Sequence, residues 1–529
     1  MLRNIELTSR EEQLRKLLVD AAEQISKHNP NIEPLVLRWA GGWVRDKLLG
    51  ETCQDIDTAL NSMTGVEFTT ALLEYCKNED VSRKHSLTPE DIGRLATIQR
   101  NPEKSKNLET ATVQLLGLEC DFVNLRKETY NNDSRNPEME FGTAEEDAKR
   151  RDATVNALFF NIHTCEVEDF TGGLFDIEAK IIRTPLDPFQ TFMDDPLRVL
   201  RLVRFGSRLQ FAIDKEVEIM ISDDRVLQAL KQKITRERVG VEVIKMLQGR
   251  YPRDSILLLH RLKLYHEVFT DPEKQDIAKP HLSHLDTVCN HLHELSNNQT
   301  PGSIWVSLVR CSEDAYFAWF LVAMLPWEFE VDPKPPAKAK DYPLPVRIAR
   351  SGIKASNKMS DFLAGACRHR PEMRCFKTAV CKGESFGGQR RDKLGMAIRN
   401  WNESGGSWKV RLLGAILFEL MENARNPSPI PVTVLLGDWQ KFIDHIKDLD
   451  LMEAHNMKRL VNGDNLVKAL GVKPGKFMTP ALDVCLAWQF RNPHCQDREL
   501  AIEEVRKQRE QLGIPLSKTE AAESKIRKN

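Results

Sequence analysis

The sequence has no apolar run long enough to cross a bilayer. Its longest, Ala315 to Trp327, is 13 residues flanked by Glu313, Asp314 and Glu328, and a spanning helix needs about 20. A leader is not legible either. Met1-Leu2-Arg3-Asn4-Ile5-Glu6 has no apolar segment, and Glu11 and Glu12 come too early for an acid-poor transit peptide. The 11 cysteines are odd in number and scattered, with no Cys-x-x-Cys. That argues against a disulfide framework and for reduced thiols inside a cell. The expectation is cytoplasm and nucleus, a mitochondrial pool being open through a second start site, and no membrane partner. Excess charge is also missing. With 76 Lys+Arg against 77 Asp+Glu the net charge is −1, so the whole chain is not a basic wrapper for nucleic acid. There is no internal repeat. What remains is 529 residues of ordinary globular composition, 41% hydrophobic and 29% charged. At roughly 150 residues per domain that is three or four domains.

Helical spacing of Leu14, Leu17, Leu18, Ala21 and Ile25 predicts an amphipathic helix within residues 1–30. Residues 33–63 read strand, turn, helix, strand: Leu35 to Ala40, a break at Gly41-Gly42, a helix from Trp43 to Leu49, then Asp55 to Leu60. Residues 77–112 are polar and poorly periodic, which predicts a long loop. Cys120 to Leu125 and Ala157 to Ile162 are strand-like, and after about residue 185 the pattern is helical, including 195–210, 235–249, 357–367 and 408–422. Pro-rich breaks at 333–336 and 426–431 mark linkers or surface loops.

Asp55 and Asp57 sit two apart on a strand, so both carboxylates project from one face. Like charges held that close repel unless a cation lies between them, and such oxygen ligands suit Mg²⁺. About a dozen residues earlier, Gly41-Gly42 leaves a strand and opens a helix, letting backbone N–H groups approach phosphate. Arg45, one turn on, is placed to reach the same phosphates. Two further Gly-Gly pairs, 387–388 and 405–406, have no acidic pair after them. Together these elements imply attack of a hydroxyl on an α-phosphate, with two cations aiding the attacking and leaving oxygens.

Leu-Arg-Trp-Ala-Gly-Gly-Trp-Val-Arg-Asp-Lys-Leu-Leu-Gly (37–50), followed by Asp-Ile-Asp (55–57), resembles the first motif of class II tRNA nucleotidyltransferases, the CCA-adding enzymes of the polymerase-β-like superfamily. The likeness runs in order to about residue 250 and more loosely to about 495, and Asp121 to Tyr130 looks like the eukaryotic branch. It implies an α/β catalytic head with a mixed β-sheet, followed by mostly α-helical neck, body and tail domains. The boundaries expected are 1–170, 171–255, 256–430 and 431–529. Asp147 to Ala157 is similar to the second motif, which assigns nucleotide ribose and phosphate to Arg151 and Asp152, with Arg150 beside them. Residues 101–112 resemble the family's flexible loop, Asp169 to Asp176 its hinge segment, and Asp121 is a candidate third carboxylate.

Asp194-Asp195-Pro196-Leu197-Arg198 opens a predicted helix on which Arg198, Arg201 and Arg204 recur every three residues beside an apolar stripe. An ordinary amphipathic helix has the same pattern. Hydrogen-bond inventory suggests more. A carboxylate only accepts and a guanidinium only donates. Cytosine and adenine both place an amino donor beside a ring-nitrogen acceptor, whereas uracil and guanine present the reverse. Asp195 with Arg198 therefore accepts C and A and leaves buried groups unpaired against U and G. This matches the family's fourth motif, where side chains replace a template, except that Asp194 stands where Glu is usual. Thr235 to Glu242 resembles the fifth, and Arg238 and Glu242 are spaced to pair on the helix.

His281, His284, His291 and His293 with Cys289 lack the spacings of a closed zinc site. Residues 345–411 hold 15 Lys/Arg and 5 Asp/Glu, a local excess of +10, which reads as a candidate RNA surface. Gly471 to Lys476 is a Gly/Lys turn of the same kind. The expected function is template-independent addition and repair of tRNA 3′-terminal CCA from CTP and ATP. Asp55 and Asp57 hold Mg²⁺, Gly41, Gly42 and Arg45 the triphosphate, Arg151 and Asp152 the ribose, and Asp195, Arg198, Arg201 and Arg204 the base. The expected partner is tRNA, through its acceptor arm and elbow, with a monomer favoured. The alternatives are a poly(A) polymerase of the same superfamily and a non-catalytic tRNA-binding protein.

Overall fold

A computed structural model describes residues 4–28, 33–53, 55–93, 96–98, 110–129, 138–272, 277–331, 342–383, 390–403 and 406–515. The chain divides into two compact units, Met1–Val268 and Phe269–Asn529. The first takes in the expected head and neck, the second nearly all of the expected body and tail.

The first unit opens with α1 (Ser9–His28), whose Leu14, Leu17, Leu18 and Ala21 are buried as the spacing predicts. Then come β1 (Leu37–Ala40), α2 (Gly42–Leu48), β2 (Asp55–Leu60), α3 (Gly65–Cys76), α4 (Glu79–His85), β3 (Ala96–Ile98), β4 (Thr110–Leu115) and β5 (Leu118–Asn124). A ribbon of β6 (Arg126–Thr129) and β7 (Glu138–Phe141) precedes α5 (Ala144–Lys149), β8 (Phe159–Asn161) and β9 (Glu166–Glu168). Seven strands form one mixed sheet in the order β3-β4-β5-β2-β1-β8-β9. Among the described pairs of this sheet only β2 and β5 run parallel, so a crossover must join them, and α3 lies in it. At Gly65 a Cβ would fall 2.0 Å from the Phe122 carbonyl oxygen, so only glycine lets α3 settle on β5.

Trp39 and Trp43 are fully buried with ring centroids 4.7 Å apart, and both pack on Phe160. Each such side chain contributes on the order of 2–3 kcal/mol by leaving water. Buried Glu11 of α1 accepts from Trp43 Nε1 at 3.1 Å and Lys47 Nζ at 2.6 Å. This fixes α1 against the helix that follows the glycine turn.

The described part of residues 77–112 is not the loop expected. Asn78 caps α4, whose Val81 and His85 are buried, and Ala111, Val113 and Leu115 alternate inward along β4. One short helix with a single buried turn and one half-buried strand leave too few apolar residues to stand out in sequence. Residues 99–109, most of the segment likened to the family's flexible loop, lie outside the described residues.

The rest of this unit is helical apart from the two-residue pair β10 (Ile181–Ile182) and β11 (Ala212–Ile213). The helices are α6 (Gly173–Ala179), α7 (Pro188–Asp194), α8 (Leu197–Leu209), α9 (Lys215–Ile221), α10 (Asp224–Lys233), α11 (Arg236–Gln248) and α12 (Pro252–Arg261), before a last short turn at Tyr265–Val268. The Asp169 carboxylate accepts from the backbone N–H groups of Thr171, Gly172, Gly173 and Leu174 at 2.9–3.1 Å, tying the hinge-like segment to the start of α6.

The second unit is helical throughout its described residues. The helix expected at 357–367 runs on to Cys381 through Pro371. Burial of Met373 and Ala379 beyond it outweighs the roughly 3 kcal/mol an interior proline costs. Residues 461–514 gather their own core, with Leu466, Leu470, Phe477, Trp488 and Ile502 at its centre.

Candidate active site

On β2 the alternation is literal. Asp55 and Asp57 meet solvent on one face, while Ile56 and Thr58 are buried on the other. Parallel pairing places Asp121 of β5 directly across from Asp57, and the Asp121 carboxylate accepts the Thr112 hydroxyl. Asp57 keeps contact with water, yet neighbouring protein strips much of its hydration and raises its pKa. Arg151 opposes that shift, and the charges of Asp121 and Asp55 add to it. An ionised Asp57 is thus held in an unfavourable field, which a hard divalent cation would relieve. Among the described residues no three His, Cys, Asp or Glu side chains converge as a ready-made cage. The donor set fits an ion that keeps waters and substrate oxygens in its shell.

Gly41 has φ +67°, and a Cβ there would sit 2.9 Å from Arg151 Nη1 and 3.8 Å from Asp57 Oδ2. The bend is therefore glycine for two reasons, backbone conformation and close approach to the acids. Two details differ from the expected cradle. The Gly41 N–H is already donated to Leu158 O at 3.1 Å. α2 has only seven residues, so the turn offers close approach more than a helix dipole. Arg45 is engaged within the protein. It is 2% exposed, binds Asp46 at 2.6 Å, donates to Asn156 Oδ1 and lies 5.8 Å from the Phe205 ring. Burial lowers its pKa. Its guanidinium is held by Asp46 and Asn156 close to Gly42, with Nη2 3.6 Å from where a Cβ would stand there.

The second motif supplies the opposite wall. Buried Asp147 binds both Arg150 and Arg151, the latter at 3.1 Å, and these cations keep its pKa low against the upward pull of burial. Arg151 also donates to Asn156 O at 3.0 Å and stacks on Phe159 at 5.0 Å, so it is held beside Gly41 and Asp57. Asp152 is buried. Burial alone would raise its pKa, but the Arg201 ion pair and the Asn156 amide hold it down at about 2. A ribose hydroxyl donating to Asp152 must share lone pairs with those two groups.

α8 runs past this wall. Arg201 reaches back to Asp152, and Arg204 binds Glu242 of α11 at 2.6 Å. Phe205 is buried between guanidiniums, with Arg204 at 4.4 Å and Arg201 at 5.5 Å from its ring. The expected pairing of Arg238 with Glu242 is not formed. Glu242 takes Arg204, and Arg238 Nη2 donates to Asp195 Oδ2 at 3.1 Å. Asp195 Oδ1 also accepts the Leu197 N–H at 3.1 Å. Arg198 is buried and donates to Arg150 O at 2.6 Å. Asp195 at the head of α8 is thus engaged by Arg238 of α11, while Arg198 is turned to Arg150 O.

Sequence comparisons give the family. Residues 37–183 match the model of the poly A polymerase head domain, and 210–276 that of the probable RNA and SrmB-binding site of polymerase A. Nucleotidyltransferase lcsQ of Purpureocillium lilacinum is 48% identical over 97% of this chain and 94% of its own. The mitochondrial CCA tRNA nucleotidyltransferase of Saccharomyces cerevisiae is 36% identical over 94% of this chain and 92% of its own. The chain belongs to the CCA tRNA nucleotidyltransferase family. Its fold is that of a CCA-adding enzyme in an apo form, with a TM-score of 0.61 at 20% identity over 94% of this chain and 96% of that one.

Within this nucleotidyltransferase, the sequence pattern gave no role to Asp147, Asn156 or Arg208, and gave Glu242 a different partner. Asn156 stood in the Thr-x-Asn that follows Arg-Arg-Asp, a usable signal. Arg208 continues the arginine series one turn beyond Arg204 and binds Asp46 at 3.0 Å. Asp147 stands three and four residues before Arg150 and Arg151, also a usable helical signal, whereas the partner of Glu242, Arg204, comes from another helix.

Proposed function

We propose that this enzyme adds and repairs the 3′-terminal CCA of tRNA, using CTP and ATP and releasing pyrophosphate. The observation that carries the reading is the meeting of Asp55 and Asp57 with Gly41 and Arg151 around one open face. The RNA 3′-hydroxyl oxygen bonds to the α-phosphorus, and the bond to the β-phosphate bridging oxygen breaks. Asp55 and Asp57 are the residues that would hold Mg²⁺, which lowers the pKa of the attacking hydroxyl and neutralises the leaving group. Gly41 and Gly42 let the triphosphate lie close to the backbone. Arg151 supplies positive charge beside it, and Asp152 faces the ribose while fixing Arg201. Asp195 accepts the amino group shared by cytosine and adenine. The donor to the ring nitrogen comes from Arg238, already beside Asp195, or from Arg198 once it leaves Arg150 O. Arg201 and Arg204 back this face.

The helical remainder binds the acceptor arm and elbow of tRNA, and the protein works as a monomer. A mitochondrial share beside cytoplasm and nucleus is supported by the yeast relative, which is named as mitochondrial. The test is incubation with labelled CTP and a tRNA lacking its terminus. C followed by A is incorporated, and Asp55→Ala abolishes both while tRNA still binds. The name of the matched head model favours one other reading, a poly(A) polymerase. Incorporation of A with no C in the same assay would establish that instead.

A further inference from the structure

A cavity of about 700 Å³ lies beyond the arginine stripe, unused by any role above. Small-ligand pockets span roughly 300–1,000 Å³. The second half of α8, the end of α11, the end of α2 and Lys180 form its wall. Five cations, Lys180, Arg204, Arg208, Lys245 and Arg250, line it against two carboxylates, Asp46 and Glu51. The carboxylates are already engaged, by Arg208 at 3.0 Å and Arg250 at 3.8 Å. Arg204 is matched by Glu242 at 2.6 Å. Lys180 and Lys245 are exposed and form no ion pair with any described residue. A concave wall with cations in excess is an anion site. It also holds half-buried Tyr251, whose ring lies 5.4 Å from the Arg250 guanidinium and is suited to a nucleobase face.

Position narrows the ligand. Asp46 and Glu51, which line it, stand on α2 and on the turn that leads from α2 into Asp55 at the start of β2. The cavity therefore adjoins the Asp55 end of the acids. The base-selecting Asp195 lies at the other end of α8, whose 13 residues span about 20 Å. An incoming nucleotide fills the Asp195 side, which leaves the cavity side for the strand that supplies the hydroxyl.

We infer that this cavity holds a phosphodiester of the single-stranded RNA 3′ end, just upstream of the reacting hydroxyl, on Lys180 and Lys245, with Tyr251 against a base. The inference rests on the proposed RNA elongation. The test is the double variant Lys180→Ala/Lys245→Ala, with Tyr251→Leu beside it. In steady-state CTP incorporation, KM for tRNA rises about tenfold in the double variant and severalfold in Tyr251→Leu, while KM for CTP and kcat at saturating tRNA are unchanged. Binding of a short single-stranded oligoribonucleotide also loses salt dependence, by about 0.7 in the log–log slope for each phosphate contact removed. An unchanged tRNA KM and salt slope would overturn the assignment. So would a rise in KM for CTP alone, which would give the cavity to the triphosphate or pyrophosphate. If the wild type adds no nucleotide to tRNA, the proposed function has failed, and the oligonucleotide salt slope still decides the cavity.

Discussion

Arginine works in opposite ways in two regions of this molecule. On α8, Arg201 and Arg204 are held by Asp152 and Glu242, acids from other motifs, and they stay at the wall of an open site. In residues 345–411, richer in cations by sequence, most are spent on the fold itself. Arg374 binds Glu422 at 2.6 Å, Lys377 binds Glu419 at 2.7 Å, and Arg370 pairs with Glu328 under the Phe418 ring. Arg399 donates to the carbonyls of Ala454, His455 and Met457, and fully buried Arg411 to those of Trp401 and Glu403. The local excess of +10 is thus no measure of an RNA-binding face. Several of its counter-charges, at 328, 419 and 422, lie outside the window that was counted.

The comparison can be broken or sharpened by substitution. The largest effect is expected at the acids that the α8 wall faces. Asp57→Asn lowers CTP incorporation by about a thousandfold or more, an effect of the size expected when transition-state charge stabilisation is lost. The same change leaves metal-free stability unchanged or slightly raised. The folded pKa of Asp57 lies above its unfolded value, so its linkage term favours folding at low pH and is lost as pH rises through the folded pKa. Thermal melts at neutral pH, with and without Mg²⁺, check this: Mg²⁺ raises the wild-type midpoint and leaves that of Asp57→Asn in place.

Next is Arg411→Ala. It leaves several buried carbonyls unsatisfied and opens a cavity, costing about 3 kcal/mol or more by denaturant titration. It leaves the choice of CTP over UTP unchanged. A shift in that choice would contradict the division between the two regions.

Arg201→Met tests the α8 side through pH. Asp152 has a folded pKa of about 2, below its ordinary value. Its pairing therefore stabilises the protein above about pH 4, by about 2 kcal/mol, and that contribution fades as pH falls towards 2. The wild-type advantage over Arg201→Met, measured as a difference in melting temperature, should shrink across that window. A constant difference would mean that Arg201 does not set the Asp152 pKa.

The smallest effect is expected at Arg374→Ala. Its pair is partly exposed, so stability falls by less than about 1 kcal/mol. KM for tRNA stays within about twofold. A tenfold rise would restore residues 345–411 as an RNA surface.

Much of this was legible in sequence where the signal is local. Strand alternation put Asp55 and Asp57 on one face, the Gly41 bend was visible as a break, and the helix carrying Arg198 to Arg204 is bounded within two residues of the reading. What was not legible depends on partners distant in the chain. Arg45 looked free until Asn156 arrived from 111 residues away. Asp195 found Arg238, 43 residues on. The strand β4 was masked by the polar residues around it. Arginine identity is readable, but whether an arginine serves a substrate or a carbonyl is decided by tertiary contacts.

The central claim is that Asp55 and Asp57 together hold a divalent cation opposite the Gly41 bend. Titration calorimetry of Mn²⁺, in the presence of a non-hydrolysable CTP analogue, tests it on the wild type and on Asp55→Asn and Asp57→Asn. The account predicts loss of at least tenfold in Mn²⁺ affinity in each variant, with the fold intact by circular dichroism. Wild-type affinity in both variants would contradict it.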